Sequence, residues 1–151
     1  MYLTLKWIHV LAAVVALGTN ITYSIWLTQI HKSPDSLLFT LRTIKVLDDR
    51  IANPAYIISL LSGLGMVFVA GMSITTPWLL LSLILYVIVV AVGLGGYTPT
   101  LNRQIAVVEQ GGALSAEYTA LSRRGQLLGI VLGVLVVSII YLMVVKPPLW
   151  G

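Results

Sequence analysis

The sequence has no cysteine and very little charge. Without cysteine there is no disulfide, no thiolate ligand and no thiol nucleophile, and the redox compartment leaves no trace. Acidic side chains are fewer than basic ones, five among 151 residues against nine Lys and Arg. Charged residues make up 9% of the chain and hydrophobic ones 58%, whereas roughly a quarter of a soluble domain is charged. This composition excludes an ordinary soluble domain and fits one small integral membrane domain. A net charge of +4 would suggest nucleic acid as a partner in a soluble protein. Here the cations serve as topology signals, and nucleic acid is excluded. Phosphate loops, His-Glu-x-x-His and Gly-x-Ser-x-Gly are also missing, which removes the common hydrolase and nucleotide-binding classes.

No charged side chain stands between Arg50 and Arg103. A spanning helix needs about 20 apolar residues for a hydrocarbon core about 30 Å thick, so this run predicts two crossings. They form a hairpin that turns at Ser73-Ile74-Thr75-Thr76-Pro77, after Gly71. Flanking spans complete an all-α, four-helix membrane bundle of two hairpins, with spans at about 3–30, 54–73, 78–98 and 125–145. The opening segment lacks a cationic n-region and a small-residue cleavage site, and its apolar run is too long for a signal h-region. It is expected to remain as an anchor.

His9, Ala13, Ala16, Asn20 and Tyr23 recur at spacings of three and four in span one, which gives a small, polar face turned into the bundle. Hydrocarbon tolerates His and Asn only when they are paired or face protein. The first connection carries Lys32, Asp35, Arg42, Lys45, Asp48, Asp49 and Arg50, with Leu37, Leu41, Ile44 and Leu47 at helical spacing. This predicts an amphipathic helix, bracketed by Pro34 and Pro54, that lies on the membrane surface or caps the bundle. Asp48, Asp49 and Arg50 read as its solvated end, which leaves no acid in any span. Asn53-Pro54 reads as the start of span two. Gly95-Gly96-Tyr97-Thr98-Pro99 reads as a bend or end of span three, and Ser115 as the N-cap of a helix running on into span four. Lys146-Pro147-Pro148 stops that helix.

Small residues mark helix contacts in a bilayer. Gly63 in span two, and Gly125, Gly129 and Gly133 at successive intervals of four in span four, are the candidate packing positions, and Asn20 is expected to hydrogen-bond another helix. The two long connections hold seven cations and the opposite side only Lys6 and Lys146. The positive-inside rule therefore puts both connections in the cytoplasm and both termini on the non-cytoplasmic side. Trp7, Trp78 and Trp150 then make an outer aromatic belt, and Trp26 and Tyr56 an inner one.

His9 is the one ionisable residue expected in the hydrocarbon. It is a neutral imidazole hydrogen-bonded across the bundle, one wetted near the outer headgroups beside Trp7, or a metal ligand on the axis of haem b. His31 lies about 33 Å further along a continuous helix at 1.5 Å per residue, so the two histidines cannot share one haem. Met72 and Met143 are the candidate sixth ligands at suitable depth.

The landmarks Leu5-Lys6-Trp7-Ile8-His9-Val10-Leu11 with Gly18-Thr19, Asn53-Pro54-Ala55, Leu61-Ser62-Gly63-Leu64, Pro77-Trp78, Glu117-Tyr118 with Arg123-Arg124, and Leu142 to Pro147 run in order through nearly the whole chain. Together they resemble the bacterial predicted integral membrane proteins filed as domain of unknown function twenty-two sixty-nine. That resemblance implies four spans in the bacterial cytoplasmic (inner) membrane and carries no activity with it. The opening span is similar in turn to the first span of the haem-associated protoporphyrinogen oxidase membrane family and of copper-resistance D proteins. This implies only His9 as a ligand. Ala16-Leu17-Gly18-Thr19 departs from the Trp-x-Gly-Gly that often follows the histidine there.

Three functions compete. The first is an accessory or assembly-type membrane subunit, with the lipid bilayer and a homo-oligomer or larger membrane complex as partners. The second is a haem-b redox protein using His9, and the third an oligomeric small-solute permease. Enzyme chemistry comes last, for want of a convergent acid, base and nucleophile.

Overall fold

The computed structural model describes residues 1–30 and 36–149. His31, Lys32, Pro34, Asp35 and Trp150, which the sequence analysis used, lie outside the described residues. Helices α1 (Tyr2–Ile30), α2 (Leu37–Leu47), α3 (Asn53–Val69), α4 (Pro77–Val92), α5 (Thr98–Glu109) and α6 (Ala116–Val145) make up the fold, and no strand occurs among the described residues. Four helical stretches are long and apolar enough to cross a membrane. They run up and down, so Tyr2 and Val145 lie at one end of the bundle and the charged connections at the other.

The ends of these rods follow local chemistry. Gly71 (φ +62°) ends α3 and Gly111 (φ +82°) ends α5, both in the left-handed conformation open to glycine. At each, the amide after the glycine reaches back five residues, Met72 to the Val67 carbonyl at 3.0 Å and Gly112 to Val107 at 2.9 Å. This satisfies the carbonyls that a helix leaves open at its end. Pro77 opens α4, where no intrahelical N–H is lost. Ser115 caps α6 as expected, its Oγ accepting from the Tyr118 amide at 3.0 Å, and the helix stops before Lys146.

Neither Asn53-Pro54 nor Gly95 to Pro99 interrupts the helical backbone. A π turn over Asp48–Ala52 joins α2 to α3, and another over Gly93–Tyr97 joins α4 to α5. The resulting rods, Leu37–Val69 and Pro77–Glu109, are each 33 residues long. Proline inside a regular helix lacks a donor and its ring strikes the carbonyl four residues back, which is Arg50 for Pro54 and Gly95 for Pro99. The wider turn sets those carbonyls aside. Its five-residue bonds, Asn53 amide to Asp48 carbonyl and Thr98 amide to Gly93 carbonyl, sit directly before the two prolines.

The extra residue in the first π turn also resets which side chains face inward. A strict heptad continuing Leu37, Leu41, Ile44, Asp48 would bury Ile51 and Ile58. These are 41% and 48% exposed, while Ala52 and Ser59 are 0% and 8% exposed. The inner face of α3 therefore becomes Ala52, Ala55, Ser59 and Ser62, narrow enough for α1 to lie close along it.

Packing differs between the two ends. In the apolar part α1 lies on α3 and α4 on α6, through Ala12, Ala16, Ser62 and Ser82. The serine hydroxyls are satisfied on their own helices, Ser62 Oγ by Ile58 O at 2.6 Å and Ser82 Oγ by Trp78 O at 2.7 Å. At the charged end α2 meets α5, and Tyr23, Leu37, Leu41, Ile44 and Leu101 form a hydrophobic core. Large apolar side chains gain from burial where the alternative is water; against lipid, close contact of small residues does the work. The amphipathic stretch thus stands upright as the continuation of α3 and closes the core. Exposed ion pairs, Arg42 to Glu109 at 2.7 Å and Arg103 to Glu117 at 2.9 Å, tie the connections outside it and contribute about 0–1 kcal/mol each.

Candidate functional site

Polar groups inside the bundle gather at two levels. Nearer the end that holds Tyr2, His9 Nδ1 lies 2.7 Å from the Ser59 carbonyl oxygen and 3.3 Å from Ser59 Oγ. A carbonyl oxygen only accepts, so Nδ1 donates; in the neutral ring Nε2 is then left with a lone pair. Gly63 makes room for this arrangement. A Cβ there would stand 3.0 Å from His9 Cε1 and 3.1 Å from Nδ1. The imidazole is thus bonded across the bundle from α1 to α3.

The second level lies towards the charged end. Asn20 Nδ2 donates to the Ala16 carbonyl at 2.9 Å and to the Tyr56 hydroxyl at 2.7 Å, which is the expected bond to another helix. The Tyr86 hydroxyl donates to the Tyr56 carbonyl at 3.0 Å. Tyr56 is therefore a partly buried link between α1, α3 and α4. Below it, the Tyr23 hydroxyl donates to Asp48 Oδ1 over a long 3.4 Å, and its ring stacks on Tyr97 with centroids 6.4 Å apart and planes 8° from parallel. One side chain on α1 thus holds both π turns, the first through Asp48 and the second through Tyr97.

Asp48 is a correction to the sequence reading. It is not a solvated helix end but 7% exposed, inside a rod of spanning length. Its neighbour Asp49 takes the lysine, paired with Lys45, and Asp48 is met by Tyr23 and by the Asn53 side chain. The spacing Leu37, Leu41, Ile44, Asp48 carried this signal, because each step of four and three keeps one face. A buried carboxyl against a phenol can hold a proton or fix two helices.

The remaining predicted positions are scattered. Gly125 packs as expected, with Gln104 Nε2 3.1 Å from where its Cβ would stand; that amide also donates to the Leu121 carbonyl at 2.9 Å. Gly129 and Gly133 have nothing within 4 Å of a built Cβ, so they serve no contact inside the chain. Met72 lies in the α3–α4 turn and Met143 in the last turn of α6. Among the described residues no hydrogen bond links either to His9, and no three His, Asp or Glu side chains are grouped to hold a metal ion. Lys146 Nζ sits 5.1 Å from the Trp78 ring centroid, a cation–π contact that joins α6 to α4 at the far end.

Comparison with known proteins adds one result. A family model described as predicted integral membrane protein (DUF2269) matches residues 3–147. No curated protein and no solved structure matches the chain.

Proposed function

We propose, from the premise that this chain belongs to the DUF2269 family of predicted integral membrane proteins, that it works as an accessory or assembly-type subunit. In this reading it sits in the bacterial inner membrane with its charged connections in the cytoplasm, and α6 meets a second copy of the chain. The supporting observation is the state of α6. Over its 30 residues only Leu142 is buried, and its glycine face at Gly129 and Gly133 is open. Glycines at intervals of four let helix backbones approach in lipid, and nothing within the chain uses these two.

Gly129→Leu tests the proposal, because a Cβ built at that position has no atom of its own chain within 4 Å. The wild type should cross-link as an oligomer in native membranes and the variant should run as a monomer of unchanged thermal stability. An oligomer that survives the substitution contradicts the reading.

One observation favours a second reading, haem b with His9 as axial ligand and Met72 or Met143 opposite. The Ser59 carbonyl fixes the ring through Nδ1 and leaves the Nε2 lone pair for a metal, the way metal-ligating histidines are oriented. Protein purified from haem-supplied cells should then show a Soret band that His9→Ala removes. A colourless preparation ends this reading.

A further inference from the structure

Among the described residues Asp48 is the only acidic or basic side chain that the fold buries. It holds the fourth place on the face of Leu37, Leu41 and Ile44, which make the core of the charged end with Tyr23 and Leu101. A carboxyl therefore stands where the pattern calls for a hydrophobe. Its level borders water, because Asp49 and Arg50 on the same turn are exposed and hydrocarbon excludes exposed charge.

Three helices pack on the first π turn, α1, α2 and α3. From α1 the Tyr23 hydroxyl meets Asp48 Oδ1. From α2 comes Lys45, but it is paired with Asp49, whose like charge offsets it at Asp48. From α3 the Asn53 side chain hydrogen-bonds the carboxyl. Tyr56 lies within electrostatic reach, as does Tyr97 of the second π turn. Phenols carry no charge below about pH 10, so among the described residues no cation is left for Asp48. An ionised carboxylate in this apolar surround is costly, and the neutral acid costs far less. Both direct partners serve either form: a carboxylate only accepts, a carboxylic acid also donates, and a phenol or a side-chain amide does both. The site thus admits two protonation states and favours the one with the proton.

We propose that Asp48 is a proton-operated latch on the two π turns, read from the compartment that the charged connections face. With the proton bound, the carboxyl stays packed against Tyr23, whose ring stacks on Tyr97 of the second turn. With the proton lost, the uncompensated charge draws in water and loosens the hold of α1 on both turns. The latch is independent of the assembly role proposed for α6 and stands if that role fails. Hydrogen exchange read by mass spectrometry, on the full chain in mild detergent and corrected at each pH for the intrinsic exchange rate, tests it at the amides of the two π turns. In the wild type, protection at both turns should fall about tenfold as the pH rises from about 4, the ordinary carboxylate range, to about 8. Asp48→Asn keeps the shape of the side chain without the titration, so its protection should stay high and level over the same range. Asp48→Ser, also neutral and able to donate and accept, answers the same question if the asparagine variant fails to fold. Wild-type protection that ignores pH, the same fall in a folded neutral variant, or a fall confined to the first turn would each overturn the proposal.

Discussion

At Gly63 the missing Cβ leaves the space into which the His9 ring fits, with Cε1 3.0 Å from where that carbon would be. The ring is held by its bond to Ser59, so it cannot yield without giving up a donor's partner inside the bundle. Gly63→Leu should therefore lower stability by about 1–3 kcal/mol, the usual cost of overpacking, measured by denaturant unfolding in detergent. In a His9→Ala background most of that cost should vanish, because contacting residues couple. Equal costs in both backgrounds would mean that the ring does not occupy this space. Much at this scale was legible in the sequence: His9 and Asn20 share the inward face that their spacing predicts, and Gly63 is a small residue at a helix contact. Their pairing was not, because periodicity gives a face but not the residue opposite. Tyr97, as the stacking partner of Tyr23, carried no local mark at all.

The π turns belong to the scale of the element. Asn-Pro after a polar stretch is a sound local signal for a helix start, and the hydrophobic pattern breaks there as it would at a boundary. What keeps the helix going is tertiary: α1 packs on both α2 and α3, so the cheapest accommodation of Pro54 is one extra residue in the turn. Deletion of Ile51, which is largely outside the core, should return the rod to a regular α-helix while keeping Leu41 and Ser59 on the inner face. Pro54 then meets the carbonyl behind it. The deletion alone should cost about 3 kcal/mol, the penalty of proline in a helix interior, and Pro54→Ala added to it should recover most of the loss in thermal unfolding. A deletion no worse alone than with the alanine would separate the proline from the π turn. By contrast Ser115 and Lys146-Pro147 were readable in full, since caps and stops depend only on the residues next to them.

For the whole molecule, the uncharged run from Arg50 to Arg103 predicted two crossings and the flanking apolar segments two more, and the structure has four helical stretches long and apolar enough to cross a membrane. The sequence did not reveal how far the rods overshoot: 33 residues at 1.5 Å each reach about 50 Å, against a hydrocarbon core of about 30 Å. The excess carries the hydrophobic core at the charged end, built from the same Leu37, Leu41 and Ile44 that read in isolation as a surface helix. The two solvents explain the division, large side chains where water borders the bundle and small ones where lipid does. This account requires the charged connections and the Ser73 to Thr76 turn to face opposite compartments. The absence of cysteine makes the test direct: single cysteines at Leu114 (94% exposed) and at Ile74 (52% exposed) can be probed with a membrane-impermeant maleimide. In intact bacterial cells Ile74→Cys should label and Leu114→Cys should label only after permeabilisation. Labelling of both from the same side would contradict the four-crossing bundle, and the reverse pattern would contradict its orientation.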